Sequence, residues 1–378
     1  MNVYAIVALS VLTQMGLKGS KMLVALHAID LGASPLAIGL LIALYSVFPM
    51  QLALFAGRVC DRSGVRRPMV LGSLGISAGL LVPAIYPHLA GLYVSAIIIG
   101  SATIFYQVSA QYTVGALGEG MARTRNFSVY SLGGSISGFI GPLLVGYAME
   151  GAGKLATYGA LAAIAAIPAL VLLALRRIPM PRHQPGVGAQ TPSALRLLAN
   201  PDLKRAFMTS AVILTGLDLF NFYMPIYGRS LGFTPSTIGI ILSMQAAAAF
   251  IVRLFLPRLV QRVGDERVLR WALLLAGGSY LAFPLASHPF ALAGVAFVMG
   301  LSLGCGQPLT MQLTQRFAPP GRIGEAIGLR LTFNRLTQIA VPLVFGSLGT
   351  FGVYPVFWAN SALLFSGSWV AARRTPHK

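Results

Sequence analysis

Charged residues are scarce in this sequence. Only 10% of its 378 residues are Asp, Glu, Lys or Arg, and nine of these are acidic. Soluble proteins carry about 25%, so the scarcity excludes an ordinary soluble domain. The only two cysteines, Cys60 and Cys305, are too far apart to suggest a disulfide framework or a metal site. The sequence also lacks a catalytic His/Cys/carboxylate cluster, a phosphate-binding loop and a nucleotide fingerprint. We therefore expect no metal, no cofactor and no enzymatic activity.

Apolar sequence is what the chain has in abundance. Hydrophobic residues make up 56% of it, and the mean hydropathy is +0.75. Charges, glycines and prolines delimit apolar segments of about 20 residues, the length that crosses a bilayer. The pattern predicts an all-α membrane protein with twelve transmembrane helices in contact with lipid. The predicted spans are 3–28, 36–57, 68–87, 91–114, 127–149, 155–175, 206–228, 236–257, 270–287, 290–314, 326–349 and 355–372.

The net charge of +19 comes from bases in short loops rather than from a nucleic-acid-binding surface. If both termini are cytoplasmic, 21 of the 28 Lys and Arg residues lie on the cytoplasmic side. The outer loops then hold only Lys154 and Arg229. The positive-inside rule therefore predicts a multi-pass protein of the inner (plasma) membrane with both termini in the cytoplasm. We expect a monomer with no nucleic-acid partner.

The sequence repeats itself at an offset of 200 residues. The related pairs include Leu31-Gly32 and Leu231-Gly232, Ser34-Pro35 and Thr234-Pro235, Gln107 and Gln307, and Pro142-Leu143 and Pro342-Leu343. A repeat in one register predicts two pseudo-symmetric six-helix bundles. We assign 1–175 to the N-terminal bundle, 176–205 to a proline-rich cytoplasmic linker, and 206–378 to the C-terminal bundle.

The first strongly charged run, between spans two and three, is Gly57-Arg-Val-Cys-Asp61-Arg62-Ser-Gly64-Val-Arg66-Arg67. Because charges avoid hydrocarbon, it predicts a short hairpin in water, with Gly57 ending one helix and Gly64 permitting the reversal. The spacing of Gly57, Asp61, Arg62, Gly64 and Arg66 resembles the loop between helices two and three of the major facilitator superfamily of secondary transporters. The resemblance implies that Asp61 latches onto a helix start in the other half and releases it during transport.

Ionisable residues inside the predicted spans are functional candidates, because their cost must be offset by a partner or a water-filled cavity. They are Lys18, Lys21, Asp218, Arg253, Arg330 and Arg335. The resemblance implies that spans one, four, seven and ten line a central cavity, flanked by spans two, five, eight and eleven. All six residues can therefore face that cavity.

The candidates differ in their expected roles. Lys18 and Asp218 are related by the repeat, so they are expected to pair, either as a switchable pair or as a permanent structural one. Asp218 is the one carboxylate placed deep in the bilayer, and we assign it to proton coupling. Lys18, Lys21 and Arg335 are assigned to substrate binding, with Arg335 as a bidentate fork for carboxylate or phosphate. A structural role is the alternative for Lys21 and Arg335.

Weaker candidates surround these residues. Arg253 and Arg330 are nearer the cytoplasm, and we interpret them as snorkelling or gate-packing residues. Gln107, Gln307 and Asn221 lie in the lining spans and are assigned to substrate binding. Interhelical hydrogen bonds are the more common role for such side chains.

Span five contains Gly138-x-x-Gly141-Pro142-x-x-x-Gly146, which resembles the Gly-Pro motif of drug/proton antiporters in the superfamily. Small residues allow close helix contact, and Pro142 removes one backbone donor. Span four, however, lacks the arginine that those antiporters usually carry, and span one has lysines rather than an acid.

Several buried bases beside one buried acid favour proton-coupled transport of a small organic anion by alternating access. A drug or metabolite/proton efflux antiporter is the alternative, favoured by the motif of span five. A lipid or siderophore transporter is less favoured. A membrane receptor or an intramembrane enzyme is disfavoured, because neither a soluble output domain nor paired acids at depth are found in the sequence.

Overall fold

The computed structural model describes residues 2–118, 120–174, 194–319 and 322–372. These residues form an all-helical bundle without strands, which confirms the predicted fold class. Nine stretches among them are long and apolar enough to cross a membrane. The α-helices are α1 (Val3–Asp30), α2 (Pro35–Ser63), α3 (Arg66–Ile85), α4 (Leu89–Ala116), α5 (Gly120–Ala174), α6 (Pro201–Ser230), α7 (Pro235–Val263), α8 (Asp265–Ala282), α9 (Pro289–Gly304), α10 (Gly306–Phe317), α11 (Ile323–Leu348) and α12 (Val353–Ala372).

Two predicted spans form one helix, and a third is divided. Helix α5 contains both 127–149 and 155–175 and bends at Gly153, where φ is 80° and only glycine is unstrained. The predicted span 290–314 is divided between α9 and α10 at Cys305. Pro308 follows and has no N–H to offer the carbonyl four residues earlier, so the helical hydrogen-bond ladder is interrupted there.

The predicted end of the second span at Gly57 is wrong. Helix α2 continues to Ser63 and ends at Gly64, where φ is 72°, so the connection to α3 is only two residues long. Among the described residues, no neighbouring helix or side chain comes within 4 Å of a Cβ built at Gly57. Charged side chains near the end of a membrane helix reach water along their stems, so charge alone does not end the helix.

The predicted latch can be followed only in part. Arg66 donates from Nε to the carbonyl of Leu172 at 2.9 Å, near the end of α5 in the same half, and Arg62 is exposed. The side chain of Asp61 lies outside the described part of the chain, so the latch stays a prediction. Most of the predicted linker 176–205 also lies outside the described residues.

The 200-residue repeat is visible in the backbone. Gly32 and Gly232 both have φ of 77°. Ser34 and Thr234 then cap α2 and α7, each accepting a bond at 3.3 Å from the N–H three residues ahead. The second helix of each half therefore begins in the same way.

Glycines hold the two halves close together. A Cβ at Gly39 in α2 would lie 2.2 Å from the carbonyl oxygen of Pro342 in α11. The related Gly239 in α7 would place a Cβ 2.6 Å from the carbonyl oxygen of Pro142 in α5. These crossings have no room for any side chain, so the halves meet backbone to backbone.

An ion-pair cluster lies at the end of the bundle beyond these crossings. Asp30 at the end of α1 contacts Lys154 and Arg229, both at 2.7 Å, and Arg229 belongs to the other half. We call this the Asp30 end, and the opposite end, where α1 begins, the termini end. The largest buried apolar cluster runs through both halves, and a smaller cluster lies within each half.

The glycine crossing generates a stability prediction. We expect Gly39→Ala to lower the free energy of unfolding by roughly 1–3 kcal/mol, because the added methyl group overpacks a backbone contact. Gly278→Ala in α8 is the control, since nothing lies within 4 Å of a Cβ there. That change should be neutral or stabilising, as alanine favours helix. Melting of the purified protein in detergent measures both, and equal midpoints would contradict the prediction.

Candidate functional site

Arg335, in the middle of α11, joins the two halves. Its Nη1 donates to Oε1 of Gln338 at 2.9 Å, and its Nη2 donates to Oε1 of Gln107 in α4 at 3.1 Å. Oε1 of Gln338 also accepts a longer bond, 3.5 Å, from Ser46 in α2. All of these acceptors are neutral, so no group in direct contact among the described residues offsets the charge of the guanidinium.

Asp218 lies in the middle of α6 with an unsatisfied oxygen. Its Oδ2 is buried and has no hydrogen-bond partner, and Asp218 forms no ion pair within 4.0 Å in the described part of the chain. The positive charges that act on it are those of Lys21 and Arg335. Since buried polar atoms are normally paired, the unpartnered oxygen marks Asp218 as a candidate functional group.

The expected pairing of Lys18 with Asp218 is not formed. The Nζ of Lys18 donates to the carbonyl of Gly134 in α5. Lys21, three residues further along α1, is the lysine that acts on Asp218, and its Nζ lies 5.7 Å from the ring centroid of Tyr45. The repeat relates the depths of Lys18 and Asp218, but it does not fix the direction of a long side chain.

Arg253 of α7 is a second link between the halves. Its Nε donates to the carbonyl of Gly304 at 3.0 Å, at the break before α10. That carbonyl lacks its helical partner because Pro308 has no N–H. Nη1 of Arg253 donates to the hydroxyl of Ser135 at 2.7 Å and the carbonyl of Ser131 at 3.3 Å, both in α5 of the other half. Arg253 thus holds the helix break against α5.

Gln107 and Gln307 have different partners although the repeat relates them. Gln107 binds Arg335 across the interface, whereas Oε1 of Gln307 accepts a bond of 2.8 Å from Arg330 within the C-terminal half. Arg330 is 4% exposed and also donates to Thr310 at 3.0 Å. Gln307 and Arg330 therefore join α10 to α11.

The glycines predicted in span five lie at three contacts. A Cβ at Gly138 would lie 3.1 Å from Nζ of Lys18, and one at Gly141 would lie 3.3 Å from the backbone nitrogen of Gly19 in α1. A Cβ at Gly146 would lie 2.6 Å from the carbonyl oxygen of Pro235 in α7. The motif therefore lies where α5 approaches both α1 and α7.

Asn221, three residues after Asp218, is exposed and donates to the Leu217 carbonyl of its own helix at 2.7 Å.

Sequence reasoning missed the contacts of Tyr45, Ser46 and Ser135. Hydroxyl residues occur in most of these helices, so nothing in the sequence distinguishes the few that receive an arginine or a lysine. In the described residues, no cluster of three or more His, Cys, Asp or Glu is suited to a metal ion.

Two related helical halves, joined by polar contacts at mid-depth and by glycine crossings towards one end, define a two-bundle membrane transporter. The sequence profile of the Major Facilitator Superfamily matches residues 6–234 and 206–378. The chain belongs to this superfamily, which confirms the resemblance seen in the sequence, and it is a multi-pass membrane transporter.

Curated relatives cover most of the chain. Multidrug resistance protein 2 of Bacillus subtilis (strain 168) is 25% identical over 343 residues, which cover 86% of this chain and 83% of that protein. Quinolone resistance protein NorA of Staphylococcus aureus (strain COL) is 22% identical, covering 84% of this chain and 82% of that protein.

Solved structures share the fold. A crystal structure of the peptide transporter POT has a TM-score of 0.82 at 15% identity and covers 98% of this chain and 93% of its own. The nucleoside transporter NupG has a TM-score of 0.79 at 16% identity, covering 98% and 100%. At such identities the likeness shows the fold alone.

The different partners of the two glutamines generate a prediction. A double-mutant cycle of Gln107→Ala with Arg335→Met should give a coupling energy of roughly 0.5–3 kcal/mol, because the two side chains are in contact. The cycle of Gln307→Ala with Arg335→Met is the control and should be additive within about 0.5 kcal/mol. Unfolding by sodium dodecyl sulfate in mixed micelles measures both. Equal coupling in the two cycles would contradict the asymmetry.

Proposed function

We propose that this transporter moves a small organic anion together with a proton. Asp218 is the proton site, and Lys21 and Arg335 are the principal anion ligands. The observation that supports this most is the buried, unpartnered Oδ2 of Asp218 beside two cations whose direct contacts are neutral groups.

Charge balance links the proton to the anion. Ionised Asp218 offsets part of the positive charge of Lys21 and Arg335. A proton on Asp218 removes that compensation, and two uncompensated cations in a low-dielectric interior then favour an anion. Proton and anion therefore bind best to the same state, and each raises the affinity for the other. This is the thermodynamic requirement for symport.

The contacts of Arg335 suggest how binding is coupled to movement. Two neutral amide oxygens, from Gln107 and Gln338, occupy Nη2 and Nη1. The two oxygens of a carboxylate or phosphate fit the same fork with stronger, charge-assisted bonds. An anion that displaces Gln107 breaks a contact between α4 and α11, and hence between the halves. Substrate binding then favours rocking of the two bundles.

Location and assembly belong to the same proposal. The bacterial curated relatives support the inner membrane. Bases are concentrated in the connections that follow the second, fourth, sixth, eighth and tenth predicted spans and in the C-terminal tail, which supports cytoplasmic termini. In that orientation the Asp30 end is the outer end, and the glycine crossings close the outer side. One copy of the chain is the transporting unit.

Efflux of drugs or metabolites by proton exchange is the second candidate, favoured by the names of the curated relatives. In an antiporter, substrate and proton compete for Asp218 instead of binding together. The charge of the spans, five bases and one acid, disfavours a cationic substrate. The sign of proton coupling separates the two candidates.

Counterflow in proteoliposomes tests the proposal, with labelled carboxylates and phosphates beside a cationic dye at two internal pH values. We expect Arg335→Gln to reduce anion exchange by roughly 10- to 100-fold, the value of one charge-assisted hydrogen bond. Asp218→Asn should keep exchange but lose accumulation driven by a pH gradient, because the amide neither takes up nor releases a proton at physiological pH.

Asp265→Asn, at the first turn of α8, is the matched control and should leave both activities unchanged. Dye movement against a proton gradient, unaffected by Arg335→Gln, would refute anion symport and favour the efflux antiporter.

A further inference from the structure

A second group of cations lies between α1, α5 and α7, and the proton site does not use it. Lys18 from α1 donates to the carbonyl of Gly134, and Arg253 from α7 donates to the hydroxyl of Ser135 at 2.7 Å. Because Gly134 and Ser135 are consecutive, the two cations converge on one turn of α5. Ser131, one turn earlier, also accepts from Arg253, at 3.3 Å.

No carboxylate offsets these charges in the described part of the chain. Neither Lys18 nor Arg253 forms an ion pair within 4.0 Å there. The charges that act on Lys18 are those of Arg253 and Lys21, and both are positive. Their hydrogen-bond acceptors are carbonyls and hydroxyls. Since like charges repel strongly at low dielectric, the cluster is unfavourable until an anion joins it.

The turn of α5 between the cations has few side-chain atoms, because it contains Gly134 and lies next to Gly138. A Cβ at Gly134 would approach only Oε1 of Gln14, at 3.7 Å, and Gly138 lies directly against Lys18. Ser131 is exposed, while Lys18 and Arg253 are partly buried. An oxyanion at this turn therefore has donors on two sides.

We propose that Lys18, Arg253 and Ser135 form a second anion subsite, so that the substrate is an organic dianion such as a dicarboxylate or a phosphorylated carboxylate. Lys18 and Lys21 are three residues apart, about 4.5 Å along the axis of α1 at 1.5 Å per residue. The two subsites are therefore neighbours, and one small molecule can bridge them. The dianion assignment rests on the proposed function, which places the first anionic group on Lys21 and Arg335. The second subsite itself does not depend on it.

Sulfate is the probe for the subsite itself. The thermal midpoint of the full-length protein in detergent is measured against sulfate concentration, with ionic strength held constant by chloride. We expect a saturable rise in wild type, and a sulfate affinity roughly tenfold weaker in Lys18→Gln and in Ser135→Ala, each of which removes one donor. Arg270→Gln, an exposed charge on α8, is the control for net charge and should respond as wild type does.

The anion-free midpoint separates a binding role from a structural one. If Lys18 and Arg253 repel each other, the thermal midpoint of Lys18→Gln without sulfate should equal or exceed that of wild type. A lower midpoint together with a wild-type sulfate response would show that Lys18 is a structural donor to α5 and overturn the subsite. The subsite would also be overturned if sulfate gave no saturable rise of the thermal midpoint in wild type. The same holds if that rise were lost only in Arg335→Gln.

A second measurement tests whether the substrate is a dianion, by comparing counterflow of the dicarboxylate glutarate with that of the monocarboxylate valerate. We expect glutarate to be preferred at least tenfold in wild type, and the preference to disappear in Lys18→Gln while valerate exchange persists. Equal selectivity in both proteins would overturn the dianion. If neither acid is transported and the dye is, the proposed function fails, whereas a Lys18-dependent sulfate response would still support the subsite.

Discussion

Positive charge in a low-dielectric interior is the constraint on which the rest of this structure depends. Desolvating a cation costs several kcal/mol unless strong partners replace water, and the described spans offer one carboxylate away from their ends and from the bend of α5, that of Asp218. Arg253 and Arg335 are held instead by carbonyls, hydroxyls and amides, several of them in the other half. The groups that stabilise these cations are therefore also the groups that join the halves. Neutral acceptors bind a cation more weakly than a carboxylate does, so an anionic ligand can replace them.

The glycine crossings and the polar links are two kinds of contact with different consequences. At the crossings, Gly39 meets Pro342 and Gly239 meets Pro142 backbone to backbone, with no side chain between them. Such a contact depends on shape alone and does not respond to charge. The polar links of Arg253 and Arg335 consist of individual hydrogen bonds, each of which can change partner. In the proposed transport cycle, a proton or an anion therefore acts on the polar links and not on the crossings.

The fold could be predicted from the sequence because its signals are long: apolar segments of membrane length and a repeat in one register. The errors come from single residues. Gly57 lies inside α2 because charged residues near the end of a membrane helix do not end it. Gly153 allows two predicted spans to form one bent helix, and Pro308 divides another predicted span into α9 and α10. In the candidate site, sequence spacing predicted the depth of each ionisable side chain in the membrane but not the residue that it contacts. Lys18 and Lys21 share a face, and only the three-dimensional structure shows which of them acts on Asp218.

The two halves share one backbone plan but carry different charges, and this difference gives their two interfaces different polar contacts. The repeat relates Arg335 to Ser135. The C-terminal half carries a guanidinium at this position, whereas the N-terminal half offers a hydroxyl, which Arg253 binds. Both interfaces between the halves are thus bridged by an arginine from the C-terminal half. Within the described residues, the bridge at Arg335 is the one on which a buried carboxylate, that of Asp218, acts. In the proposed symport, a proton on Asp218 therefore changes the electrostatic environment of the Arg335 bridge more directly than that of the Arg253 bridge.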